Sequence, residues 1–471
     1  MSKLTQIAWR NLLRNKRRTV ITASSIFFAV FFAVIMRSFE LGSYDHMIKQ
    51  SIELYSGYLQ IQQKDYFDDA TIDNSLVYDV ELIQTLSNTA GIKAFVPRVE
   101  TFVLASTGHQ SKGIILTGID PVHEAKVSNP EHLVVHYKLT PENLSRIQQE
   151  IRLPETQIEQ LKIFQNNVYN NLDRLAADMG LKPHEFDSYR KSFEYHCRVP
   201  GTYLNENDEG VLVSNRLAQF LRVNVGDTLV LMGAGYQGTN AAGLFPVRGI
   251  IHIPSPDLDN KLVYMSIQKA QDFLSLDNHI TSVVINLEDE DEMLSVQELL
   301  SGKLDHERYM VKNWLEINPT LKQQIEGDSI SGQIFIGILY VIIFFGIFGT
   351  VLMMITERMR EFGVMIAIGM QKKLLSWVVS IEMLIIGLVG TLAGMLASIP
   401  IIIGFNHNPI RFTGESAKLY EDMGFDPVMP TALIEGYFAW QGLIILVMVI
   451  LACYFPLKKI RKLKVMDALR A

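Results

Sequence analysis

The sequence predicts a membrane α-helical protein with four transmembrane helices and a large α+β domain that carries a helical insertion. Three observations predict it: four long apolar runs nearly free of charge, a polar interval of mixed pattern between the first two, and basic residues gathered at one set of flanks. Hydrophobic residues make up 48% of the 471 positions and charged residues 20%, so stretches of very different character must alternate.

The first run, TVITASSIFFAVFFAVIM between Arg18 and Arg37, can cross most of a hydrocarbon core roughly 30 Å thick at about 1.5 Å per residue. We assign residues 19–38 to it. Its leader, residues 1–18, has the basic excess of a signal peptide, but the run exceeds an h-region and no small-residue cleavage site follows, so it is expected to stay as an anchor. The other three spans are assigned to residues 330–356, 374–405 and 436–457. Between them lie residues 39–329, 357–373 and 406–435, and residues 458–471 form the tail.

Six basic residues precede span one (Lys3, Arg10, Arg14, Lys16, Arg17, Arg18). Arg358, Arg360, Lys372 and Lys373 lie between spans two and three, and Lys458, Lys459, Arg461, Lys462, Lys464 and Arg470 follow span four. These stretches hold only three acidic residues, Glu357, Glu361 and Asp467, which leaves 27 basic and 47 acidic residues elsewhere out of totals of 43 and 50. By the positive-inside rule both termini are expected in the cytoplasm, with 39–329 and 406–435 outside.

Within span three, Gly387, Gly390 and Gly394 share a stripe that permits close backbone approach, and Gly346 and Gly349 do so in span two. Such stripes serve packing within one bundle or a dimer seam. Glu382 sits about two turns into span three, where a carboxyl group needs a partner or a proton, for structure or for function. Leu4, Ile7, Ala8 and Leu12 recur at helical spacing, so residues 1–18 read as an amphipathic surface helix.

The segment TERMREFGVMIAIGMQKK opens on clustered charges and turns apolar, with Gly363 and Gly369 as punctuation. It reads as a short helix across the cytoplasmic face, of the kind that can seat in a groove of a soluble motor. No G-x-x-x-x-G-K-[ST] loop is present; Ser301-Gly302-Lys303-Leu304 lacks the upstream glycine and the hydroxyl. Nucleotide hydrolysis is thus assigned to a separate chain, and this one is not expected to be an enzyme.

Residues 39–329 mix alternating runs such as Tyr58-Leu59-Gln60-Ile61-Gln62 with turn signals and helical stretches, which predicts an α+β domain. Residues 131–196 are polar and helical in pattern, with Ile158, Leu161, Phe164, Val168, Leu172, Leu175 and Met179 three or four apart and Gly180 as a C-cap. We read them as an inserted helical hairpin whose stripe packs on itself or its host, or else docks a partner. The histidines show no metal-ligand spacing and no G-x-S-x-G elbow appears. The acidic balance disfavours nucleic acid. Cys197 and Cys453 fall in segments of opposite character, which excludes a disulfide framework.

The run from Arg360 to Gly369 (REFGVMIAIG) resembles the R-E-I-G-I-L-R-A-L-G loop of the FtsX-like, or MacB-type, ABC permeases. Pro456-Leu457-Lys458-Lys459 through Asp467-Ala468-Leu469-Arg470 resembles their P-A-R-R…V-x-A-L-R tail. Trp9-Arg10-Asn11-Leu12, Gly118-Ile119-Asp120-Pro121, Gly210 to Gly226 and Gly249-Ile250 add to the likeness, which covers both ends and most of the middle. Ile366 stands where the loop usually has a basic residue, and Lys464-Val465 where the tail usually has D-P.

Within that superfamily the chain looks closest to the lipoprotein-releasing LolC and LolE kind. The resemblance implies a bacterial inner-membrane permease with a periplasmic domain made of a mixed part and a smaller β-rich part, working by mechanotransmission as a homomeric or paralogous dimer. ATP and Mg would be bound by a cytoplasmic ABC ATPase dimer contacting Glu357, Arg358, Arg360, Glu361, Phe362, Gly363 and Gly369. Release of lipoproteins to a periplasmic carrier is the expected function. Tripartite efflux of drugs or peptides through an adaptor, and FtsX-like regulation of a cell-wall hydrolase, are the alternatives. Membrane lipids are expected partners, and nucleic acid, metal and a cofactor of this chain's own are not.

Overall fold

The computed structural model describes all residues except 1–5, 7–9, 13, 15, 423–426 and 462–471. The chain divides into two compact units, one of Met1–His46, Gln323–Ile410 and Val428–Ala471, the other of Met47–Lys322 and Arg411–Pro427. Five helices carry the first: α1 (Lys16–Ser51), α2 (Pro319–Glu357), α3 (Met359–Ala367), α4 (Lys372–His407) and α5 (Gly436–Arg461). Four stretches are long and apolar enough to cross a membrane: Thr19–Lys49, Ile325–Glu357, Lys372–His407 and Gly436–Tyr454. Helix α1 continues past residue 38 and α2 begins ahead of residue 330. The polar residues of both extensions carry no hydropathy signal. Most of the surface helix expected over 1–18 lies outside the described residues, although Gln6, Arg10, Asn11, Leu12 and Arg14 are helical; residues 462–471 of the tail also lie outside them.

Side chains from all four spans build the membrane unit's core, among them Ile26 and Val30 of α1, Ile347 and Val351 of α2, Val379 and Ile386 of α4, and Ile445 and Val449 of α5. The glycine stripe of α4 makes that packing possible. A Cβ on Gly390 would lie 2.9 Å from Ile26 Cβ, and one on Gly394 would lie 2.7 Å from the Phe27 carbonyl oxygen. A Cβ on Gly387 would lie 3.1 Å from Val449 Cγ1 of α5. The stripe therefore serves contact within one bundle.

Nine strands form the sheet of the second unit: β1 (Leu59–Gln63), β2 (Ile92–Ser106), β3 (Ser111–Ile119), β4 (Val211–Ser214), β5 (Thr228–Ala234), β6 (Asn240–Ile251), β7 (Leu262–Ser266), β8 (Ser282–Leu287) and β9 (Tyr309–Asn313). Their order is β9-β1-β8-β2-β3-β7-β4-β6-β5, and β5 also pairs with β2 through Leu104↔Met232 to Ser106↔Val230. The fifteen-residue β2 thus takes part in the open half, β9-β1-β8-β2, and closes β2-β3-β7-β4-β6-β5 into a six-strand ring. Val103, Leu116, Val213, Leu231, Val247 and Met265 fill the common core.

One polar network is sealed inside this unit. Arg98 of β2 is fully buried, donates through Nη1 to the Tyr55 carbonyl, and through Nε and Nη2 to Glu124 Oε1, which also accepts from Ser128 Oγ at 2.6 Å. Burial works against the guanidinium charge, and Glu124 more than offsets it, so the pKa of Arg98 is raised. Tyr55 belongs to the π-helical turn Ile52–Ser56 that follows α1, and its hydroxyl donates to Glu100 at 2.6 Å. The network fixes that turn to the sheet.

Residues 131–196 form no hairpin. They fold into helices Pro141–Glu150, Glu155–Ile163, Leu172–Asp178 and Pro183–Cys197 with a short pair, Tyr137–Lys138 against Val168–Tyr169. The expected long stripe breaks at Asn166, which takes φ +72°, and restarts at Asn171, whose side chain caps the next helix by accepting from the Arg174 amide. Gly180, at φ +71°, closes that helix with its amide on Ala177 O and the Leu181 amide on Ala176 O. Leu161, Phe164, Leu172, Leu175 and Met179 all enter the insertion's own core, joined by Phe186, Phe193, Cys197 and by Ala417 from 411–427. The stripe is consumed inside, and burial pushes the Cys197 thiol up to about 12.

Removing one partner of the sealed network strands a buried charge, which costs about 3–5 kcal/mol. E124A is expected to lower the stability of this unit by that amount, while R98M/E124L loses much less. Thermal melting checks the ordering, and equal losses in both would show that the ion pair contributes nothing specific.

Candidate functional site

The segment between α2 and α4 is where the chain's charged and apolar features converge. Arg358 acts as N-cap of α3, and the helix ends at Gly369, whose φ of +104° side chains other than glycine rarely adopt. The Gly369 amide bonds Ile366 O and the Met370 amide bonds Met365 O, which closes the last turn. The inner face of α3 carries Phe362 and Gly363, both buried, with Met359, Met365 and Ile366 packed on the membrane core. Arg360, Val364, Ala367 and Ile368 fall on the opposite face and are exposed, Ile368 by 80%. An exposed apolar row beside a guanidinium, at spacings of four and three or four, is suited to a groove on a protein partner.

A buried ion pair holds the helix in place. Glu382 of α4 has no exposed surface and Arg358 has 4%. The guanidinium donates through Nη1 to Glu382 Oε2 and contacts Oε1 from Nη2 at 3.5 Å, while Asn11 Nδ2 donates to Oε1 at 2.7 Å. Arg358 also lies over the Phe362 ring, 5.2 Å from its centroid, and its Nε is 3.5 Å from Glu361 Oε2. Arg14 reaches the same Glu361 oxygen at 3.3 Å. Chain segments around residues 11–14, 358–362 and 382 therefore share one network.

The seven loop residues singled out in the sequence divide into two groups. Glu357 and Arg360 are exposed and Glu361 half-exposed, so these can meet another protein. Arg358, Phe362 and Gly363 face inward and Gly369 shapes the turn, so these four position the helix. The sequence reading missed Val364, Ala367 and Ile368. Their signal was present, an apolar row four residues on from Arg360. Among the described residues no cluster of three His, Cys, Asp or Glu side chains could hold a metal.

Glu382 is a positioning residue on this geometry. E382A leaves the buried Arg358 with only the half-exposed Glu361 carboxylate at 3.5 Å and is expected to lower the protein's melting temperature in detergent, with a loss of about 3 kcal/mol. R358M/E382L restores most of it. A single variant as stable as the parent would remove the pair's structural role.

Residues 333–465 match the family described as FtsX-like permease C-terminal. Over 295 residues the chain is 20% identical to the lipoprotein-releasing system transmembrane protein LolC of Neisseria meningitidis serogroup B, covering 60% of this chain and 70% of that protein. Over 234 residues it is 24% identical to an uncharacterized ABC transporter permease protein of Mycobacterium tuberculosis, covering 48% of this chain and 26% of that one. The periplasmic region of MacB from Actinobacillus actinomycetemcomitans aligns at 14% identity and a TM-score of 0.29, covering 58% of this chain and 94% of that structure. The extracellular domain of the noncanonic transporter YknZ from Gram-positive bacteria aligns at 14% and 0.28, covering 55% and all of it. The family match runs from within α2 to just past α5 and includes the helix between α2 and α4, so this part of the chain is similar to the C-terminal region of FtsX-like permeases.

Proposed function

We propose that this permease works by mechanotransmission in an ATP-driven machine that releases lipoproteins from a bacterial inner membrane. The observation that carries the coupling half is the exposed row Arg360, Val364, Ala367 and Ile368 on a helix pinned from behind by Arg358 and Glu382. A rigid short helix with a partner-facing apolar row transfers displacement instead of absorbing it. The lipoprotein half is supported by the similarity to LolC, a protein whose name describes such a system.

On this reading a cytoplasmic ATPase dimer binds ATP and Mg and seats the α3 helices of two permeases, identical or paralogous. The positive-inside distribution supports an orientation with both termini and α3 in the cytoplasm and the sheet unit in the periplasm, where a carrier would receive the cargo. The four long apolar helices support lipid as a partner.

V364D and I368D add charge to exposed positions and are expected to preserve folding. Each should lower lipoprotein release by ten-fold or more and break its link to ATP hydrolysis, measured in vesicles holding the ATPase; unchanged coupling in both would exclude this face. Depletion of the protein is expected to trap lipoproteins in the inner membrane. Unchanged lipoprotein distribution would remove the cargo assignment and turn attention to efflux or hydrolase control.

A further inference from the structure

Just ahead of α5, residues 430–432 run without regular secondary structure along the end of the membrane unit remote from α3. They are bonded on every side. The Ala432 amide donates to the Ser38 carbonyl of α1 at 2.8 Å, and Ser38 Oγ, on a fully buried side chain, donates back to the Ala432 carbonyl at 3.0 Å. Thr431, 1% exposed, donates through Oγ1 to the Ile402 carbonyl of α4 at 2.7 Å. Asn406 Nδ2 of α4 donates to the Thr431 carbonyl at 2.6 Å, and the Tyr437 hydroxyl of α5 to the Ala432 carbonyl at 3.3 Å.

Sequence permits this seating at one position above all. A Cβ on Gly42 of α1 would lie 2.5 Å from the Ala432 amide nitrogen and 2.6 Å from the Pro430 carbonyl oxygen, so only glycine lets the strap reach the helix surface. A short strap whose backbone and side chains are shared among α1, α4 and α5 resists displacement of any one of them, because each move breaks bonds to the other two.

Helix α2 is held differently. Its end beside α3 is pinned to α4 by the Arg358–Glu382 pair, and the Tyr340 hydroxyl donates to Gln441 of α5 farther along. Beyond Tyr340 the side chains of Ile330, Ile334, Phe335 and Ile338 are 53–65% exposed, and a Cβ on Gly327 or Gly337 would meet nothing within 4 Å. The glycines of α4, by contrast, are all but touched by their neighbours. Where α2 does meet α1, Gly332 makes room for the Glu40 carboxylate, which pairs with Arg37 of its own helix at 2.9 Å and accepts no hydrogen bond from α2. That contact is a close approach without a bond.

We propose that residues 430–432 weld α1, α4 and α5 into one body at the end remote from α3, and that α2 is the span that moves against this body, pivoting on Arg358 and Glu382. The proposal deepens the coupling reading and rests on it. Displacement of α3 is delivered along α2, and the welded helices are the frame it works against.

Two engineered disulfides are expected to give opposite results, S38C/A432C across the weld and E40C/G332C between α1 and α2. In vesicles holding the ATPase, oxidised S38C/A432C should release lipoprotein within about two-fold of its own reduced form, whereas oxidised E40C/G332C should lose about ten-fold or more and regain it on reduction. The reduced forms control for folding. Cross-linking itself needs no cargo: S38C/A432C is expected to close equally with and without ATP, and E40C/G332C about five-fold less in one of these states. If the parent releases no lipoprotein, the cargo assignment fails alone and the cross-linking yields still decide the weld. Closure of S38C/A432C in only one state, loss of release on its oxidation, or equal closure of E40C/G332C in both states would each overturn the proposal.

Discussion

The ion pair between Arg358 and Glu382 is the constraint on which the membrane unit's geometry rests. Neither charge is tolerable alone in that core, and neither reaches water, so each requires the other. Satisfying the pair fixes the end of α2 against α4, and Asn11 and Arg14 extend the fixation to the chain ahead of α1. The orientation of α3 follows. With Arg358 directed inward and stacked over Phe362, the opposite face can only point away from the bundle.

The sheet unit solves a similar problem with similar chemistry. Arg98 and Glu124 are buried together, and the third member of their network is a backbone carbonyl in the π turn after α1. In both units an arginine is held among groups far apart in sequence. Arginine suits this task because its fork serves several acceptors at once and its charge survives burial.

The four long apolar helices were legible because composition alone decides them. Long apolar runs have few physical alternatives. The helical extension of α1 to Ser51 was not legible, since its polar residues look like any loop until tertiary contacts support them. The insertion's core residues were read correctly as one apolar set, but their connection was not: Asn166 at positive φ and the capping Asn171 break a stripe that periodicity joins smoothly. At the candidate site, Glu382 announced its need for a partner, while the partner's identity depends on two helices meeting 24 residues apart.

The segment Arg411–Pro427 belongs to the sheet unit although it follows the third span in sequence, and its Ala417 completes the core of the insertion. The sheet unit is therefore discontinuous, interrupted by two spans and α3 between residues 322 and 411. During synthesis its main part emerges first and must wait, with a hole where Ala417 belongs, until the ribosome has passed α4. Folding of this unit is thus tied to membrane insertion by chain order alone, a long-range contact that delays completion.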